Sequence, residues 1–325
     1  MSEGRGGSQP EVTVAVVSWN TRALLADCLA SLQDDFDTGL ADVWVVDNNS
    51  SDGSPELVRE SFPWTNLIAS SENLGFGNAV NAVAARTSTQ WLVPANADVH
   101  VAQGALRSLL DEGAQHPEAA VFAPRLVLPD GSTQRSVYPF PTIPFTVAYV
   151  SGLTRLSSRL ARHWFTDGGF DPERPGQVPW AVGAFLLVRR SAWLEVGGFD
   201  HKQWMYAEDL DLGWRLQQAG WRARYVPRAR VGHAESAATK AAWGDARHLQ
   251  WHACTYAWMM RRRGLVMTRL VAAINVGGFL LRALVFSPIA RLGVAKAQQL
   301  RHDSLNSAHA HSIGLRPRSV LDRIA

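Results

Sequence analysis

VTVAVVS (residues 12–18), VWVVD (43–47), NLIAS (66–70) and QWLVPA (90–95) are four short apolar runs rich in β-branched residues, and they decide the fold. The segments between them have helical patterns over 21–33, 54–61 and 75–86. This βαβαβα succession predicts parallel strands joined by right-handed crossovers, in one sheet covered on both faces. Ligands of such sheets sit beyond the carboxyl ends of the strands. The polar residues standing there are Asn20, Asp47 and Asn96-Ala97-Asp98.

Outward from this half, Asp130-Gly131 reads as a tight turn between RLVL (125–128) and TQRSV (133–137). Pro139, Pro141 and Pro144 then break regular structure, and residues 145–177 show no clear pattern; they are expected to be a mobile or acceptor-side segment. A second block starts at Trp180, with strand-like AFLLVRR (184–190), a Gly197-Gly198-Phe199-Asp200 turn and a helix over 209–218 ended by Gly220. A further strand beginning RARYV (222–226) leads to His233, and residues 300–325 read as a weakly ordered tail.

With 325 residues, 46% hydrophobic and 19% charged, the chain can bury a substantial core, which excludes a disordered protein and a multi-span transporter. Cys28 and Cys254 give no disulfide framework and no metal knuckle, so a reducing compartment is expected. The net charge of +3 is unevenly spread: residues 1–239 carry 19 basic and 26 acidic side chains, residues 240–325 carry 13 and 3. The N-terminal residues 1–10 are a Gly- and Ser-rich tail without an export signal. The apolar stretch 270–286 is interrupted by Asn275, Gly277, Gly278 and Arg282 and flanked by arginines. That pattern suits a helix lying at an anionic membrane surface better than one spanning it, the simpler alternative being a helix packed on the domain.

Each candidate site residue has a plainer reading beside the functional one. Asp47 opens Asn48-Asn49-Ser50-Ser51-Asp52-Gly53, which is turn chemistry, yet a carboxylate at a parallel strand's end can accept hydrogen bonds from a nucleotide. Asn73-Leu74-Gly75-Phe76-Gly77-Asn78 can meet an anion at a helix start but is not GxGxxG, which disfavours hydride chemistry. Asn96-Ala97-Asp98 offers one carboxylate, compatible with Mg2+ or Mn2+ when a diphosphate completes the shell; otherwise it is an Asx turn. Glu208-Asp209-Leu210-Asp211 fits helix capping, but one of the first two acids can face a cleft as a general base. No HExxH, GxSxG or Walker motif is present, arguing against zinc proteases, α/β-hydrolases and P-loop NTPases.

Taken in order, VTVAVVSWN, VVDNNSSDGS, ENLGFGNAVN, PANADV, WAVGAFLLVRRSAWLEVGGFD, MYAEDLDLGWRLQQAGW and VPRARVGH resemble the family 2 glycosyltransferases of the GT-A fold, over roughly residues 11–260. Within that family the chain is most similar to bacterial rhamnosyltransferases acting on polyprenyl-diphosphate-linked sugars. The resemblance implies an α/β fold with a mostly parallel central sheet and inverting transfer from a nucleoside-diphosphate sugar, best guessed as dTDP-rhamnose. It implies Asp47, Asn20, Asn49, Asn78 and Asn96 at the donor, Asp98 and His233 on a divalent metal, and Asp209 as the base. Trp180, Trp204 and Glu208 are the acceptor-side candidates, the tryptophans as stacking platforms.

The resemblance further implies a polyprenyl-linked glycan acceptor and a cytoplasmic enzyme, peripheral on the inner face of the membrane; the basic C-terminal region would also suit nucleic acid, but the acidic residues 1–239 argue against such a partner. The expected division is a glycosyltransferase domain over 11–260, with donor half 11–135 and acceptor half 136–260, followed by a basic, apolar helical extension over 261–325. Three residues depart from the family pattern: Ala97 in the metal motif, and His201 and Trp204 before the acidic pair. The alternatives are a galactofuranosyl or glucosyl transferase using a UDP-sugar, and a non-catalytic sugar-nucleotide-binding protein.

Overall fold

The first strand, β1 (Val12–Ser18), is almost wholly buried and lies between two parallel neighbours, β2 (Ala41–Asp47) and β4 (Trp91–Asn96). The structure is a computed structural model that describes residues 9–165, 169–203, 206–234 and 247–316. The chain forms two compact units, residues 1–138 with 171–244 and residues 139–170 with 245–325.

In the first unit, β1 is followed by α1 (Arg22–Ser31), α2 (Gln33–Asp37), β2, α3 (Ser54–Ser61), β3 (Asn66–Ala69), α4 (Gly75–Ala84) and β4. The strands β3, β2, β1 and β4 lie side by side and parallel, as the alternation of apolar runs and helices predicts. Next come β5 (Val99–Val101), α5 (Ala105–Gln115), β6 (Ala119–Val127) and β7 (Val137–Tyr138). The chain then enters the second unit through α6 (Ile143–Val150), α7 (Leu153–Leu156) and α8 (Ser158–His163). It returns with β8 (Gly176–Val178), β9 (Trp180–Ala181), β10 (Leu187–Arg189), α9 (Arg190–Val196), α10 (Glu208–Gln218) and β11 (Arg222–His233).

The sheet runs β3-β2-β1-β4-β10-β6-β11-β5, with β8 beside β11. Its second half is mixed: β10 is antiparallel to β4 and β6, β11 is parallel to β6, and β5 is antiparallel to β11. One face packs Leu25, Leu29, Leu106 and Leu109 from α1 and α5 onto Val12, Val14 and Phe122, the dry core that fixes the strands' register. That register aligns Ser18 with Asp47 and Val17 with Asn96, so the polar strand ends emerge at one edge.

The second unit contains α6 to α8, α11 (Arg247–Arg291) and α12 (Ala295–Ser312). Residues 145–177, expected to lack regular structure, carry three short helices. The reason is capping: Thr142 and Ser157 accept the Phe145 and Leu160 N–H groups, and Pro144 falls in the first turn, where a missing N–H costs nothing. Residues 300–316, expected to be part of a weak tail, are mainly helical, because α12 buries small side chains, Ala297, Ser304, Ala308 and Ala310, that leave no large-apolar period to read. The stretches 1–8 and 317–325 of the two expected tails lie outside the described residues.

Candidate active site

The end of β2 carries two buried acceptors. Asp47 is 2% exposed; its Oδ2 accepts the Ser50 N–H at 2.9 Å, while Oδ1 has no hydrogen-bond partner. Asn48 donates through Nδ2 to the Gly75 carbonyl at 3.3 Å and leaves Oδ1 buried and unpartnered. A buried acceptor without a donor costs about 1–3 kcal/mol, so two at the mouth of a parallel sheet mark a place where a ligand's N–H or O–H groups belong. Asn48 was not singled out in the sequence, because as a turn former it is indistinguishable from its neighbours.

Asn20 and Asn49 both adopt left-handed backbone, at φ 51° and 63°, which asparagine tolerates. Asn20 Oδ1 accepts the Ser51 N–H at 2.8 Å, and Asn20 N–H donates to Ser50 Oγ at 2.9 Å. These bonds tie the loops after β1 and β2 together at this edge of the sheet. Asn78 donates to the Leu74 carbonyl at 3.1 Å within the first turn of α4.

At the end of β4 the chain turns through Ala97 into β5, whose antiparallel pairing with β11 sets His233 against Val99. His233 Nε2 lies 3.3 Å from Asp98 Oδ1 and 3.4 Å from Asn96 Nδ2, and its Nδ1 lies 2.7 Å from Gln134 Oε1. With Gln134 accepting from Nδ1–H, the Nε2 lone pair faces the carboxylate. Two oxygen or nitrogen ligands at right angles around a Mg2+- or Mn2+-sized ion are about 3 Å apart, so this pair fits such an ion. Among the described residues no group of three or more His, Cys, Asp or Glu side chains forms a closed metal cage. Gln134 too escaped the sequence reading; its position just after the Asp130-Gly131 turn was the available signal.

Asp209 sits in the first turn of α10, where the helix dipole favours negative charge. Its Oδ2 accepts the Gly183 N–H at 3.0 Å and its Oδ1 the Leu210 N–H at 2.7 Å. The next carbonyl, that of Ala184, accepts the Asn96 N–H at 2.9 Å. The backbone of Gly183 and Ala184 thus joins the expected base to the expected metal strap. A Cβ on Gly183 would meet Asp209 Cβ at 3.4 Å and the Phe76 ring at 3.8 Å, ordinary contact distances.

Burial raises both acids of the pair. Glu208 is pushed up to about 8, by loss of water first and by the neighbouring Asp209 second, and its Oε2 is buried without a partner. Burial raises Asp209 as well, while the Gly183 and Leu210 N–H groups oppose it. Burial favours the protonated form of Glu208, and the two N–H groups on Asp209 favour the negative charge there. Tyr206 and Ala207, immediately before, are both left-handed, at φ 58° and 61°, a strained entry to the helix held in part by Gln203, whose side-chain amide donates to the Tyr206 carbonyl.

The acceptor-side expectation for Trp180 is corrected. The residue is 5% exposed, its ring stacks on Tyr138 at 5.4 Å, and its Cβ fills the space where Gly213 of α10 would carry its own. It serves as core packing beneath α10 and not as a platform for a sugar. Trp204 lies outside the described residues.

Residues 13–193 match the model of "Glycosyl transferase family 2", and residues 136–294 that of "Glycosyl transferase family group 2". The N-acetylglucosaminyl-diphospho-decaprenol L-rhamnosyltransferase of Mycobacterium tuberculosis is 35% identical over 224 residues, 61% of this chain and 67% of that protein. The rhamnosyltransferase WbbL of Escherichia coli K12 is 38% identical over 87 residues, 26% of this chain and 32% of that protein. Among solved structures, the mannosyltransferase PcManGT of Pyrobaculum calidifontis, in complex with GDP-Man and Mn2+, superposes with a TM-score of 0.58 at 19% identity. The superposition covers 98% of this chain and 86% of that one, a likeness of fold. The family match over more than half of the chain, on a GT-A-like mixed sheet, shows that the chain belongs to glycosyl transferase family 2 and is a glycosyltransferase.

Proposed function

We propose that the protein transfers L-rhamnose, with inversion, from dTDP-rhamnose to a polyprenyl-diphosphate-linked glycan during cell-envelope polysaccharide synthesis, at the cytoplasmic face of the membrane. The observation that carries the catalytic part is the Gly183–Ala184 junction: Asp209 accepts from one residue of it and Asn96 donates to the next. A base and a diphosphate site must lie on opposite sides of one anomeric carbon, and a shared two-residue strap keeps them that close. The sugar and acceptor rest on the likeness to the mycobacterial and E. coli rhamnosyltransferases.

Asp47 and Asn48 would accept donor groups of the nucleotide through their unpartnered oxygens, with Asn20 and Asn49 shaping the loop around it. Asp98 and His233 would hold a divalent Mg2+ or Mn2+, which supplies charge neutralisation for the diphosphate; the likeness to a fold that binds GDP-Man with Mn2+ supports this. Gln134 fixes the His233 ring so that Nε2 remains an acceptor. Asp209 takes the proton of the acceptor hydroxyl as that oxygen bonds to the anomeric carbon and the bond to the nucleoside diphosphate breaks. A carboxylate raised by burial is a better base at neutral pH than a solvated one. Neutral Glu208 beside it leaves the single negative charge on Asp209.

The test is transfer from dTDP-rhamnose to N-acetylglucosaminyl-diphospho-polyprenol by wild type and Asp209→Asn. The variant is expected to lose about 10²- to 10⁴-fold in turnover while still binding the donor nucleotide; substantial turnover by the variant would remove Asp209 from the role of base.

A further inference from the structure

By length and composition α11 could cross a bilayer. Its environment argues for another use. Gly264 interrupts the helix at φ 79°, ψ 169°, and beyond it two faces separate. Val271, Ala272, Asn275, Phe279 and Ala283 are buried, Gly278 lies against the Val150 side chain, and α12 packs along α11. Val266, Leu270, Leu281, Leu284 and Leu292 recur at three- to eleven-residue intervals on the open side, Leu281 at 62%, Leu284 at 68% and Leu292 at 82% exposure. Arg282 donates to the Tyr149 and Val150 carbonyls, which holds the end of α6 against α11, and the segment that follows exposes Leu153, Arg155 and Leu156.

An exposed stripe of leucines this long needs an occupant. The partner helix decides against spanning: α12 exposes Lys296, Gln299, Arg301, His302, Asp303 and Asn306, which hydrocarbon would not accept. Charge decides the rest. Among the described residues of this unit thirteen are arginine or lysine, and the single acid is Asp303. Arg155, Arg159, Arg162, Arg269, Arg291 and Lys296 are exposed. A second copy of so basic a surface would repel the first, whereas anionic lipid headgroups match it.

We infer that α11 lies in the plane of an anionic membrane surface, with Leu281, Leu284 and their neighbours inserted below the headgroups and the exposed arginines of α7, α8 and α11 on lipid phosphates, the α6–α8 segment contributing Leu153 and Leu156. The face is monotopic and composite, built from residues 143–163 as well as from the C-terminal helices. This deepens the functional reading and rests on it for the lipid-linked acceptor, though the binding of lipid itself does not depend on that acceptor.

The experiment uses the full chain with phosphatidylcholine vesicles containing or lacking phosphatidylglycerol. Wild type is expected to pellet with the anionic vesicles, less at high salt, and to be released by alkaline carbonate. Leu281→Ser/Leu284→Ser is expected to weaken partitioning about ten-fold or more with an unchanged circular dichroism spectrum; Arg155→Glu/Arg159→Glu is expected to weaken it on anionic vesicles only. Retention in carbonate, equal binding by the leucine variant, or a leucine-dependent dimer by light scattering would each overturn the inference. Transfer to a short-chain, water-soluble acceptor separates the two readings: the leucine variant is expected to match wild type there. Vesicle binding without any transfer by wild type would break the functional reading alone, and transfer without vesicle binding would break this inference alone.

Discussion

The two units place their exceptional groups in opposite environments. The first buries polar atoms at the end of β2 and at the start of α10: Asp47 Oδ1, Asn48 Oδ1 and Glu208 Oε2 are out of water and unpartnered. The second exposes apolar side chains along a helix, Leu281, Leu284 and Leu292 among them. Both arrangements cost stability in the isolated molecule. The difference teaches what each unit meets: buried acceptors are satisfied by a small polar ligand, and exposed leucines by a surface without water.

The largest effect expected on this contrast comes from Arg215→Ala. Arg215 pairs with buried Asp211 at 2.6 Å and donates to the Val196 and Gly198 carbonyls. Its loss is expected to cost the first unit about 3–5 kcal/mol, read by thermal unfolding, with the helical unit's transition unmoved. A shift of both transitions together would show that the two units unfold as one.

Acid is expected to act on the other unit. His252 and His311 sit with their rings 4.5 Å apart, and burial first, neighbouring imidazoles second, lowers them to about 3 and about 4. In the unfolded chain they take up protons near 6.5, so the unfolded state binds protons first as pH falls. Stability is full above that value and declines below it, by roughly 2 kcal/mol per ring on reaching about pH 5. A helical transition that holds steady between pH 7 and 5 would show these rings to be solvated.

Two smaller effects sharpen the first unit. Gln134→Leu is expected to weaken metal-dependent nucleotide binding about 10- to 100-fold without lowering the melting temperature by more than a few degrees; isothermal titration reads it, and unaltered affinity would detach Gln134 from His233. Glu208→Gln keeps the shape of a protonated carboxyl, so turnover at neutral pH is expected to stay within about three-fold of wild type. The wild-type profile, which should change as Glu208 ionises near 8, should flatten on the alkaline side in the variant. A large loss at neutral pH would mean that Glu208 carries the charge.

The parallel half of the sheet was legible because each strand is an apolar run bounded by helix or turn signals, as in VTVAVVS and VWVVD. The mixed half was not, since AFLLVRR carries no information about its direction, and β10 enters antiparallel. Pro144 read as a breaker and proved to lie in a helix's first turn. In the site, acids at strand ends stood out, whereas Gln134 and Asn48 act through neighbours far apart in sequence, Asn48 on Gly75 and Gln134 on His233. Trp180 shows the opposite failure: an aromatic beside the site drew a binding role, and burial gave it a packing one.

The central claim is a metal-dependent nucleotide-sugar site at the ends of β2 and β4, and calorimetric titration tests it most directly. dTDP, UDP and GDP would be titrated into wild type and Asp98→Ala with Mn2+, with Mg2+ and with EDTA. The account predicts tight binding of dTDP with metal, and its loss in EDTA and in the variant. Binding that ignores both metal and Asp98, or binding of none of the three nucleotides, would contradict it.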